Sequence, residues 1–161
     1  MTARILHCGG DDCNRLAVLE TAGYRVENCR SLPGLVTTLG DGVDTDAVIL
    51  TEDYGDPSED FVRAARGSTE APLILFQSAD CRCNELEFDL VIPMLTPPRH
   101  WLAKMAATIE KSRAIRAERL ALAESSKRLR QESEAARESC AKVRQKIRET
   151  CGRTEPPAGN K

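Results

Sequence analysis

Residues 45–52 read Thr-Asp-Ala-Val-Ile-Leu-Thr-Glu, an apolar run that ends on Thr51 with Glu52 and Asp53 directly behind it. A hydroxyl followed by carboxyl groups at the end of a buried strand is a place for chemistry, because an open parallel sheet binds ligands beyond the carboxyl ends of its strands. Glu52 and Asp53 read as solvated loop acids, although a one-residue shift in register would put the Glu52 charge at the strand end instead. Residues 9–12, Gly-Gly-Asp-Asp, follow another apolar run. A hard cation takes several oxygen ligands, and this turn offers one or two. Gly9 and Gly10 make no phosphate loop, since the third glycine or the Lys-Ser/Thr of such loops is missing. Cys81-Arg-Cys83 brings two thiols too close in sequence for the usual zinc loop, with no second pair to complete four ligands. They read as loop thiols open to oxidant. Cys8 and Cys29 read as small buried hydrophobes, and His7 as a residue of a sheet face. Neither metal nor cofactor is expected.

These residues need strands and helices in alternation to hold them. Residues 4–8 read as a first strand, and a short helix follows that would turn Leu16, Leu19 and Ala22 to the sheet and end at Gly23 as a C′ glycine. Residues 24–29 form a second strand. Ser31 is a natural N-cap for a helix whose Leu32, Leu35, Val36 and Leu39 recur at helical spacing. A third strand covers residues 46–51, a helix over residues 58–66 buries Phe61, Val62 and Ala65, and residues 73–76 are a fourth strand. Continuous apolar runs of this kind mark strands covered on both faces. The fifth, residues 90–94, contains Pro93 and so belongs on an edge. Between strands four and five, residues 80–87 leave room for barely two turns of helix. Thr96 caps and Pro97 or Pro98 opens a final helix without a breaker before Gly152. The fold expected is α/β, a flavodoxin-like doubly wound sheet of five parallel strands in the order 2-1-3-4-5 with a long C-terminal helix.

Arg15, Leu16, Leu19, Glu20, Gly23, Tyr24 and Val26 in the first βα unit, and Asp46 ahead of four apolar residues in the third, resemble the receiver domain of bacterial response regulators. The resemblance covers about residues 3–112 and includes the Ala71-Pro72 entry to strand four. It implies a phosphoacceptor aspartate at the end of strand three, an acidic pair after strand one for magnesium, a serine or threonine ending strand four, and a lysine ending strand five. The acceptor position falls on Thr51, and the acidic pair on Gly9 and Gly10, where a two-residue slip to Asp11 recovers one oxygen. Gln77 or Ser78 stands at the hydroxyl position. The lysine position falls on Pro93 or Met94, and no lysine occurs before Lys104. The expectation is therefore a degenerate receiver, a pseudo-receiver that signals through protein contacts without catalysing a reaction. The alternative is a working phosphorelay regulator with relocated acids.

Composition sets the compartment and the second module. With 161 residues, 41% of them apolar and 4% aromatic, the chain supports one aliphatic core and an appendage. No apolar run reaches the roughly 18 residues of a membrane span, no secretory signal is read at the start, and seven irregularly spaced cysteines suit a reducing cytoplasm. Residues 1–110 carry 9 Lys and Arg against 18 Asp and Glu, whereas residues 111–161 carry 14 against 7. In the basic part Ile115, Leu122, Leu129, Ala136 and Val143 repeat every seven residues, interleaved with Arg119, Ser126, Ser133, Cys140 and Ile147. That is a heptad seam with the first set at d and a weaker, mostly small or polar set at a. The expected division is a domain over residues 1–112, a coiled-coil helix over 113–151 and a disordered end over 152–161. The helix is expected to pair two copies, or to dock on a helical partner such as a sensor kinase; otherwise it is a solvated single helix held by charge pairs. Seven interspersed acids argue against nucleic acid as its partner.

Overall fold

The computed structural model describes residues 2–11, 13–29, 31–40, 44–52, 59–78 and 85–151. The expectations for Asp12, Asp53, Cys81 and Cys83, and for the terminal segment 152–161, lie outside those residues. The chain divides into two compact units, Met1–Arg116 and Ala117–Lys161.

In the first unit β1 (Arg4–Cys8), α1 (Arg15–Thr21), β2 (Arg25–Cys29), α2 (Leu32–Gly40), β3 (Ala47–Thr51), α3 (Glu59–Ser68), β4 (Leu73–Phe76) and β5 (Leu90–Ile92) follow in order, and α4 (Pro98–Cys151) begins behind them. Among the described residues the strands form one parallel sheet in the order β2-β1-β3-β4-β5. This is the doubly wound arrangement expected from the alternating pattern. Because successive strand residues point to opposite faces, Leu6, Val48, Leu50 and Leu75 pack with Leu35, Leu39, Val62 and Ala65 of α2 and α3. Ile5, Ile49, Ile74 and Phe76 pack on the other face with Leu19 of α1 and with Trp101, Met105 and Ile109 of α4.

Local signals account for most boundaries. Gly23 has φ +90°, and the amides of Gly23 and Tyr24 return to the carbonyls of Glu20 and Leu19, so the glycine ends α1 as expected. The Ser31 hydroxyl accepts from the Gly34 amide at the start of α2. Four expectations are corrected. Ala22 is exposed at the C-cap of α1. Val36 is 46% exposed, because Leu32, Leu35 and Leu39 already occupy the stripe of α2 that meets the core. Strand β5 stops at Ile92, and Pro93, with no amide hydrogen for the ladder, stands just beyond the edge strand rather than within it. At the start of α4 the capping carbonyl is that of Pro97, which accepts from His100 and Trp101 at 2.9 and 3.3 Å, instead of Thr96. Ahead of β5 the described chain has a single 3₁₀ turn, Glu85–Glu87.

At the amino ends of the strands, Asp46 ties three elements together. One carboxylate oxygen accepts from the Arg4 amide at 2.9 Å and the other from Arg113 Nε of α4 at 2.7 Å, with Arg116 at 3.9 Å. Arg116 also donates to the Thr45 carbonyl. The hydrogen bond from Arg113 holds the Asp46 carboxyl below its usual range. The second unit is the remainder of α4, residues 117–151, in which Arg128 reaches Glu132 at 3.1 Å and Gln145 reaches Glu149 at 3.0 Å along the helix.

Two stability tests follow from this packing. Leu50 and Ile74 lie fully buried on adjacent central strands, so Leu50→Ala and Ile74→Ala should each lower the unfolding free energy by roughly 2–5 kcal/mol in urea titrations. A folded-state pKa depressed below the unfolded value stabilises above about pH 4 and loses that contribution as pH falls through the folded value. Asp46→Asn should therefore cost roughly 1.5–3 kcal/mol at pH 7, and its urea midpoint should converge on that of the unmodified protein as pH falls through the folded-state pKa of Asp46.

Candidate functional site

The candidate residues gather at the carboxyl ends of β1, β3 and β4. Parallel pairing sets Cys8 beside Leu50 and Thr51 beside Phe76, so Gly9, Thr51 and Gln77 come to one crevice. Here Gly9 has φ +114°, and a Cβ on it would stand 2.7 Å from the Thr51 carbonyl oxygen. Glycine is the residue that fits both the conformation and the close approach. A side-chain oxygen at position 9 is incompatible with this backbone.

Thr51 is engaged on its other side. His7, 1% exposed, lies on the same sheet face and places Nε2 2.7 Å from the Thr51 hydroxyl, while Nδ1 faces the Asn28 amide oxygen at 3.4 Å. A ring proton on Nδ1 directed at Asn28 leaves Nε2 to accept from Thr51. Asp11, the residue to which a shifted acidic pair would move, is also committed: its two oxygens accept from the amides of Arg15 at 2.6 Å and Leu16 at 3.1 Å. It satisfies orphan donors in the first turn of α1, where Asn14 adopts the left-handed conformation and makes no side-chain cap. The oxygen recovered by the shift is thus a helix cap, not an open cation ligand. Gly10 contributes no side chain.

Glu52 departs from the expectation of a solvated loop acid. It is 5% exposed, its amide continues the ladder to the Phe76 carbonyl at 3.0 Å, and its carboxyl group accepts from the Ser78 amide at 3.1 Å and hydroxyl at 3.3 Å. Burial is tolerated because these donors replace water. Of the two candidates at the end of β4, Ser78 therefore faces Glu52, while the Gln77 side chain donates to Glu85 at 2.8 Å. Pro93 carries no side-chain polar atom, and its carbonyl accepts from Thr96.

One further residue packs near the crevice, and the sequence pattern assigns it no role. Arg15, almost buried at the start of α1, donates from Nη2 to the Met94 carbonyl at 3.0 Å and lies over the Phe76 ring, 4.3 Å from its centroid. Trp101 meets the same ring edge-on at 5.4 Å. Burial lowers the Arg15 pKa from its usual value, and the guanidinium remains the charged form. The signal was a cation four residues before Leu19 on the buried face of α1. Cys8, beside Cys29 in the core, is pushed up to about 12 by burial and is an inert thiol. Among the described residues no group of three His, Cys, Asp or Glu side chains is placed to share a metal ion.

No protein-family model and no curated protein sequence matches this chain. Its fold does match solved structures. A CheY-like response regulator receiver domain from Methanospirillum hungatei superposes with TM-score 0.56 at 18% identity, covering 71% of this chain and 98% of that one. The signal receiver domain of an HD domain-containing protein from Pseudomonas fluorescens gives 0.59 at 17% identity, with coverage of 72% and 93%. A structure described as adenylate cyclase from Rhodopirellula baltica gives 0.61 at 12% identity, with coverage of 76% and 98%. The first unit is a receiver-like domain in fold, with a long helix behind its fifth strand. Among the described residues no helix is long and apolar enough to cross a membrane.

Gly9→Ala tests the closed geometry of the crevice. The added Cβ meets backbone, not a flexible side chain, so the variant should lose more than about 1 kcal/mol of stability, whereas Gly40→Ala, with open space around it, should not.

Proposed function

We infer that this chain is a non-enzymatic signalling module, a pseudo-receiver that acts through protein contacts without forming an aspartyl phosphate. One observation carries the reading: the hydroxyl of Thr51, the residue at the acceptor position, is hydrogen-bonded to Nε2 of buried His7. A threonine hydroxyl cannot form the acyl phosphate of an aspartate, and the carboxyl of Asp11, the residue to which a shifted acidic pair would move, caps α1. The Glu52 carboxyl, one residue further on, is bonded to Ser78. That contact supports a crevice whose state is set by sequence instead of by a transferred phosphate. The contact element would be the basic helix of the second unit, presented to another helix. A working phosphorelay regulator, or a nucleic-acid-binding tail, would need chemistry that these residues have committed elsewhere or a recognition module that the heptad pattern does not contain.

Acetyl phosphate with magnesium should leave the intact mass of the purified protein unchanged. A phosphoryl adduct that disappears in Asp11→Asn or Glu52→Gln would overturn the reading and restore the phosphorelay alternative.

A further inference from the structure

We propose that residues 122–147 pair with a second copy of this chain as a parallel, in-register two-stranded coiled coil, its direction set by a row of arginines beside the apolar seam. The proposal deepens the reading above and rests on it for the role of the helix as a contact element.

The helix leaves an apolar row uncovered. Every residue from 117 to 150 is exposed, and Leu122 and Leu129 are each 61% exposed, Val143 54% and Ile147 56%. The Arg128–Glu132 and Gln145–Glu149 contacts support the helix along its own surface, but they do not cover that row. Its repeat of seven is the spacing that keeps one stripe facing a partner over several turns of a supercoil. A second copy carries the same row.

Charge then decides the direction. With Leu122, Leu129, Ala136 and Val143 at d, the e positions beside the seam are Ala123, Arg130, Arg137 and Arg144, and the g positions are Ser125, Glu132, Ser139 and Lys146. In a parallel pair each g residue faces the e residue five positions on in the other helix. Glu132 then meets Arg137 of the second copy, twice by symmetry, and Ser125 and Ser139 meet Arg130 and Arg144. No like charges oppose one another across g and e. In an antiparallel pair e faces e, and Arg130 meets Arg137 of the second copy, twice. The arginine row therefore opposes the antiparallel arrangement. Arg119 falls at an a position ahead of this stretch and can carry its charge outward along its aliphatic stem, so the seam proper starts at Leu122. Parallel register also puts exposed Cys140 opposite Cys140 of the second copy, which supplies a native reporter.

The test uses the full chain. Sedimentation equilibrium over a range of concentrations should show reversible monomer–dimer exchange, with association on the order of micromolar because the a layer is mostly small or polar. Arg137→Glu should weaken the dimer on the order of tenfold by turning two attractive pairs into repulsive ones, and adding Glu132→Arg should recover most of the loss, with helix content followed by circular dichroism. Oxidised glutathione should link Cys140 to Cys140. One Cys140 thiolate attacks the glutathione disulfide and releases glutathione, and the second Cys140 thiolate attacks the mixed disulfide and releases another. Peptide mapping without reductant should find that link even where other thiols also react. A monomer at all concentrations, a dimer tightened by Arg137→Glu, or a dimer lacking the Cys140–Cys140 peptide would each overturn the proposal. A monomer would leave an unchanged mass after acetyl phosphate standing, and a phosphoryl adduct would leave a parallel dimer standing, so the two readings fail separately.

Discussion

A polar group buried at the ends of a sheet covered on both faces gives up water, and a partner within the chain offsets that cost. Among the described residues His7, Arg15, Thr45 and Glu52 are polar or charged and buried. His7 is answered by Thr51 and Asn28, Arg15 by the Met94 carbonyl and the Phe76 ring, and Glu52 by Ser78. The Thr45 carbonyl accepts from Arg116. Asp46 joins the start of β1 to α4 in the same manner. Side chains that would meet ligand in an open crevice here hold the ends of the strands. The same demand links fold to function, since each partner found inside the chain is one fewer group free to react.

What could be read from the amino-acid order divides along this line. The strands themselves and the glycine end of α1 depend on apolar runs and one glycine, which are local signals. The contacts of the crevice depend on register. His7 reaches Thr51 because β1 and β3 pair with His7 beside Ile49, and Glu52 reaches Ser78 because β3 and β4 pair with Thr51 beside Phe76. Neither alignment is visible from spacing alone, so Glu52 read as a loop acid and His7 as a residue with no named partner. Asp11 is an intermediate case. Its place in a turn ahead of α1 was legible, but its capping of the helix depends on the left-handed backbone of Asn14, which makes no side-chain cap of its own.

Helix α4 changes its periodicity along its length. Trp101, Met105 and Ile109 recur every four residues and bury against β4, β5 and α1, which suits packing onto a twisted sheet. From Ile115 the apolar residues recur every seven, and beyond Arg116 every residue through 150 is exposed. Charge changes over the same stretch, from an excess of acids in residues 1–110 to an excess of bases in residues 111–161. One helix thus carries two patterns, the first packed within the domain and the second exposed along its length.

The contact between Gly9 and Thr51 also bears on how such a domain can change over time. An aspartate placed at position 51 would still face a turn at position 9 that admits no side chain, because a Cβ there collides with the backbone of residue 51. Introducing a carboxyl group at position 9 first would strain the fold before any cation could reward it. A carboxyl group at position 9 therefore waits on a wider separation of the backbone between β1 and β3, whatever side chain stands at position 51. The crevice is thus closed by backbone as well as by side chains, and substitution at the end of β3 alone does not open it.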